Sequence, residues 1–228
     1  MSDAPLRLVI FDMDGTLIDS QRVIIAAMRR AYDNFGAPCP SDEAVRRIIG
    51  LSLPEVFHRL SPEADDADNA RLVECYKTAF IALRAESGGE AEAPLFPGAR
   101  EALHGFSEAG WLISAATGKA RRGFDHAIEA HGLHGLFSFP QTADSARSKP
   151  HPEMVEQAMA LHGVGPQETV MVGDTSFDME MAKAAGARAI GVSWGYHPAM
   201  ELRAAGADAL IRDFSELNAA AHAALEAA

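Results

Sequence analysis

Five short, nearly unbroken apolar runs, separated by stretches of helix length, constrain this chain more than any other feature of its sequence. Residues 6–11 (LRLVIF) run into Asp12, residues 111–116 (WLISAA) into Thr117 and residues 169–173 (TVMVG) into Asp174; residues 188–194 (RAIGVSW) and 207–211 (ADALI) complete the series. Runs of this length without polar alternation read as strands covered on both faces, the habit of a parallel sheet. Between them, residues 97–109, 152–162, 177–185 and 198–205 read as helices. They stop at Gly110, Gly163, Gly186 and Gly206, glycine being the residue that closes a helix in the left-handed conformation. The alternation predicts an α/β fold with a doubly wound parallel sheet. The Ala-rich end, residues 214–228, reads as a packed amphipathic helix.

Residues 20–91 break the alternation. They hold no strand candidate and give four helical stretches instead, at 21–35, 42–49, 53–60 and 62–86. The expected organisation is a core domain of residues 1–19 and 92–228, with a helical cap domain over 20–91. Residues 87–94 (SGGEAEAP) suit a hinge or linker.

Composition removes several function classes. The formal net charge is −12, from 20 Lys and Arg against 32 Asp and Glu, which argues against a nucleic-acid surface built on clustered cations. No run approaches the length of a membrane span. The first residues carry no basic segment followed by an apolar one, so the cytoplasm is the expected compartment. Cys39 and Cys75 stand in no metal-ligand or C-x-x-C spacing and read as free thiols.

The unusual polar residues collect at one place in the expected fold. Asp12, Asp14, Thr117, Asp174 and Asp178 all fall at or just beyond the carboxyl ends of strands, the edge where open α/β sheets bind ligands. Carboxylates gathered there repel one another unless a cation holds them. Mg²⁺ suits such a site, because it takes oxygen ligands and completes its shell with water and phosphate. Lys149, in Ser-Lys-Pro-His-Pro, either pairs with a phosphate or the acidic cluster or is a solvated loop cation. Thr117-Gly118 opens toward a helix and offers a hydroxyl and backbone N–H groups to an anion. Taken singly, Asp14-Gly15 is also a common turn pair, and Asp12 or Asp174 a helix cap.

Together these residues resemble the motif set of the haloacid dehalogenase superfamily. Asp12-Met13-Asp14-Gly15-Thr16 resembles its D-x-D-G-T signature; Ala116-Thr117-Gly118, Lys149-Pro150 and Gly173-Asp174-Thr175-Ser176-Phe177-Asp178 follow in the family's order. The helical insert resembles the C1-type cap. The resemblance implies a phosphatase with Asp12 as nucleophile, Asp14 as general acid and base, and Thr117 and Lys149 holding the phosphate. Mg²⁺ would be held by Asp12, Asp174 and the backbone carbonyl of Asp14, with Asp178 behind. Thr16, Gly118 and Lys119 would contact substrate, and Arg46 and Arg47, ahead of the cap loop, would reach a distal carboxylate.

Dehalogenases of the superfamily lack the second aspartate, and its phosphonate-cleaving members carry a small residue there; Asp14 separates this chain from both. The β-phosphoglucomutase branch has a His where this chain has Ile24 and an Arg where it has Leu53. The nearest likeness is to the phosphoglycolate phosphatase branch, which implies a small phosphate ester as partner. Pyrophosphate, a nucleotide or a sugar phosphate are alternatives, and a long-lived phospho-receiver or a non-catalytic phosphate-ester binder are readings from other classes.

Overall fold

The computed structural model describes residues 5–86 and 93–227. A five-stranded parallel sheet runs in the order β2-β1-β3-β4-β5, from β1 (Leu8–Phe11), β2 (Leu112–Ala115), β3 (Thr169–Gly173), β4 (Arg188–Val192) and β5 (Ala209–Ile211). The first strand in sequence is thus interior, with Leu8 opposite Leu112 on one side and Thr169 on the other.

Side chains of a strand alternate between faces, and β1 accordingly feeds two cores. Val9 and Phe11 join Leu103, Phe106 and Trp111 on one face. Leu8 and Ile10 join Met154, Met171 and Met179 on the other. The helices α5 (Ala99–Glu108), α6 (Arg121–Ala130) and α10 (Leu217–Glu226) contribute to the first cluster; α7 (Glu153–His162), α8 (Ser176–Ala184) and α9 (Ala199–Ala204) contribute to the second. This two-sided burial is why the strands read as continuous apolar runs.

Four helices lie between β1 and α5: α1 (Gln21–Phe35), α2 (Asp42–Arg46), α3 (Leu53–Leu60) and α4 (Asp66–Glu86). They share a third cluster, with Met28 and Tyr32 of α1 meeting Phe57 of α3 and Leu72 and Tyr76 of α4. Within this insert two boundaries differ from the sequence reading by three residues or more. The helix expected over 42–49 ends at Arg46, because the chain turns through Ile48 and Ile49 to Gly50, whose φ of 105° no helix accommodates. The stretch expected from residue 62 becomes helical only at Asp66. Helix α6 falls in a stretch to which the sequence reading assigns no bounds. Most of the expected linker, residues 87–92, lies outside the described residues.

Cys39 and Cys75 are free thiols. Among the described residues no helix is long and apolar enough to cross a membrane.

Leu103 is fully buried beneath β1, whereas Met200 is 79% exposed. Urea unfolding should show Leu103→Ala losing about 2–5 kcal/mol through the cavity it leaves. Met200→Ala should stay within about 0.5 kcal/mol.

Candidate active site

The site starts from strand register. Phe11 pairs with Val172, and the Asp12 amide still donates to the Val172 carbonyl at 2.9 Å. Asp12 and Asp174 therefore leave neighbouring strands at the same edge of the sheet. Gly173, between them, lets α8 close on the strand: a Cβ there would stand 2.4 Å from the Cβ and Cγ of Asp178. Asp178 is drawn in by its own helix start. Thr175 caps α8 by accepting from the Asp178 amide, and Asp178 Oδ2 accepts from the Thr175 amide at 3.0 Å and its hydroxyl at 2.7 Å. Such a reciprocal box satisfies backbone donors that a helix start leaves open.

Lys149 ties the two strand ends together. Its Nζ lies 2.7 Å from Asp12 Oδ1 and 2.7 Å from Asp178 Oδ1, with no side-chain exposure. Burial alone pulls the ammonium down, but the two carboxylates outweigh it and hold the pKa above its ordinary value. Asp174 is fixed separately. Its Oδ1 accepts from the Thr16 hydroxyl at 2.9 Å and its Oδ2 from the Tyr196 amide at 2.8 Å.

The cluster remains short of positive charge. Burial raises Asp12 to about 7; Lys149 opposes the shift and Asp178 and Asp14 add to it. Burial likewise holds Asp174 well above the usual carboxylate range, reinforced by the charges of Asp12 and Asp178. Asp12, Asp174 and Asp178 each present an oxygen within 4.8 Å of the other two. Asp12 Oδ2 is buried without a hydrogen-bond partner. An orphaned carboxylate oxygen among all-oxygen donors fits a hard divalent cation, whose charge would draw these acids back to their ionised forms.

Asp14 turns away from this cluster. Its Oδ1 accepts from the Ser20 hydroxyl and pairs with Lys119 Nζ at 2.7 Å. Both residues line a cavity of about 820 Å³ between α1, α4 and α6. Thr117 is fully buried and its Oγ1 accepts from the Lys119 amide at 3.2 Å. Gly118 also lines the cavity, and a Cβ on it would stand 2.4 Å from the Leu51 carbonyl and 2.6 Å from that of Gly50. The cap-loop backbone can come this close only because residue 118 has no side chain.

Three expected substrate contacts lie elsewhere. Thr16 spends its hydroxyl on Asp174 rather than facing the cavity. Arg47 pairs with Glu201 of α9 through two bonds of 2.8 and 3.0 Å, because its place at the end of α2 directs it over the sheet side of the molecule. Arg46 does not line the cavity either. His197 is a buried bridge: Nδ1 accepts from the Ser176 amide at 3.1 Å and Nε2 donates to the Arg47 carbonyl at 3.1 Å. Sequence reasoning gave Ser20 and Tyr196 no role in the site; Thr175 begins a T-x-x-D capping signature that the sequence carries.

A family model described as "Haloacid dehalogenase-like hydrolase" matches residues 9–192, a span that includes Asp12, Asp14, Asp174 and Asp178. The chain belongs to this family. Among its relatives, "Probable phosphatase IndB" of Dickeya dadantii (strain 3937) is 38% identical over 96% of this chain and 95% of its own. "Phosphoglycolate phosphatase" of Pseudomonas putida is 31% identical over 92% of this chain and 78% of its own. The solved structure of a hydrolase from Pseudomonas syringae superposes with a TM-score of 0.82 at 27% identity, over 94% of this chain and 97% of that one. This haloacid dehalogenase-like chain is thus an enzyme of the phosphatase kind, with its acids gathered at the edge that the fold reserves for ligands.

A carboxylic acid whose folded pKa exceeds its unfolded value contributes stability that is complete below the unfolded pKa and lost as pH rises through the folded one. For Asp12 that window runs from its ordinary value of 3.8 up to about 7. A divalent ion competes with these protons, so Mg²⁺ should raise the melting temperature over an EDTA control more at about pH 8 than at about pH 5. Asp174→Asn should abolish the difference. Thermal melts at the two pH values read it, and an equal shift at both would contradict the assignment.

Proposed function

We propose that this chain is a Mg²⁺-dependent phosphomonoester hydrolase that works through an aspartyl phosphate on Asp12. The observation that carries the reading is the state of that carboxylate: one oxygen is held by Lys149 and the other is buried without a hydrogen-bond partner, beside Asp174. A nucleophile needs a fixed orientation and a free lone pair, and this carboxylate has both.

In the first step an Asp12 oxygen attacks phosphorus, forming a P–O bond while the bond to the leaving alcohol breaks. Asp14 gives the departing oxygen its proton. In the second step water attacks the aspartyl phosphate and yields a proton to Asp14; the P–O bond to Asp12 breaks, releasing inorganic phosphate. Lys149 orients Asp12 and offsets charge on the transferring group, and Asp178 holds Lys149 in place. Ser20 and Lys119 keep Asp14 on the cavity wall, where the leaving group would lie. When bound, Mg²⁺ supplies the positive charge that lets an anionic carboxylate approach an anionic phosphate. Asp12, Asp174 and the main-chain carbonyl of Asp14 would hold it, with Asp178 behind.

Residues 20–91 act in this reading as the cap. Its support is the contact between the Gly50–Leu51 backbone and Gly118, together with the bond from the Ser52 amide to the Ser148 hydroxyl at 2.9 Å, next to Lys149. A closed cap keeps water from the first step and strengthens every charge inside.

Phosphate release from p-nitrophenyl phosphate and from phosphoglycolate tests the assignment of roles. Asp12→Asn should lower kcat by about 10³-fold or more on both compounds, and wild-type rates in that variant would end the proposal. Asp14→Ala should cost roughly 10²–10⁴-fold on phosphoglycolate. The loss should be smaller on p-nitrophenyl phosphate, whose leaving group departs without a proton.

A further inference from the structure

The cavity beside Asp14 is larger and less polar than a two-carbon acid or an inorganic anion requires. Its volume of about 820 Å³ falls within the range of roughly 300–1,000 Å³ that encloses ligands of drug size. Its inner end is polar, where Asp14 and Lys119 pair, and Lys77, Arg84, Arg122, His126 and Asp144 also contribute to the lining. Much of the wall is apolar: Ile24 and Met28 of α1, Ile49 and Leu51 of the turn after α2, and the rings of Tyr76 and Phe80 of α4. The rings of Tyr76 and Phe80 lie with centroids 6.0 Å apart and planes 29° from parallel.

A wall of this kind returns little to a small anion. Its apolar stretches would desolvate an anion without compensating donors, and Arg46 and Arg47, the cations expected for a distal carboxylate, do not line it. Of the other Lys and Arg residues in the lining, Lys77 and Arg122 are exposed to solvent, Lys77 is paired with Glu74 at 2.7 Å, and Arg84 is half-buried near the end of α4. The same wall does favour a leaving group that carries apolar or aromatic surface out of water. A phosphate at the inner end would put the rest of the ester along α1 and α4.

We propose that the alcohol released from the physiological substrate is a bulky, predominantly apolar, ring-bearing group seated against Met28, Tyr76 and Phe80. This rests on the phosphatase reading and specifies its substrate class.

The test compares phenylpropyl phosphate with propyl phosphate, two primary alkyl esters whose alcohols have similar acidity, so that a rate difference reports binding of the ring. Phosphoglycolate and pyrophosphate are the small anionic controls, all with Mg²⁺. The expected kcat/KM for phenylpropyl phosphate exceeds that for each of the other three by roughly ten-fold or more. Phe80→Ser should shrink the ratio of phenylpropyl to propyl phosphate several-fold. Equal values for the two alkyl esters, or a preference for either small anion, would overturn the substrate class and leave the phosphatase reading standing. Hydrolysis of none of the four would remove both.

Discussion

A single buried ammonium organises the centre of this protein. Lys149 is sealed from solvent between Asp12 and Asp178, and a charge so placed is tolerable only because both partners are within hydrogen-bonding distance. The pairing sets where Asp12 points and leaves its second oxygen buried without a hydrogen-bond partner. It also leaves a deficit: with Lys119 balancing Asp14, three carboxylates surround one ammonium, and the residual charge is that of one divalent ion. The raised pKa values of Asp12 and Asp174 express the same deficit when protons are the only cations available.

The sheet exists, from the standpoint of the site, to hold these groups at fixed separation. Parallel pairing of β1 with β3 brings Asp12 and Asp174 to one edge, and the α8 capping box carries Asp178 to the same point. Because β1 is buried on both faces, its end has little freedom to move. The precise groups thus sit on the rigid part of the fold. The apolar cavity is shared with the inserted helices, whose own core is a separate cluster.

Much of this was legible in the sequence, and the parts that were not have physical reasons. Strands buried on both faces announce themselves as apolar runs, and acids at their ends stand out because a strand end needs no carboxylate. Lys149 was ambiguous alone, since a loop cation and a buried ion pair differ only in contacts with residues far off in sequence. Arg46 and Arg47 look equivalent in the chain, yet Arg47, just past the last residue of α2, pairs with Glu201 of α9. Tyr196 serves through its backbone amide, a function that leaves no side-chain signal. The cavity was invisible for a related reason. Ile24, Met28, Tyr76 and Phe80 have the spacing of ordinary helix-core residues, and only the packed helices reveal that part of that face is open.

The central claim is that Asp12 and Asp174 converge on one divalent ion that Lys149 alone does not replace. Crystals of the protein grown with Mn²⁺ in place of Mg²⁺ and measured for anomalous scattering test it most directly. The account predicts one strong peak in contact with a carboxylate oxygen of Asp12, one of Asp174 and the main-chain carbonyl of Asp14. No peak there, or an ion bound only at surface carboxylates while Asp12 and Asp174 stay as they are, would contradict it.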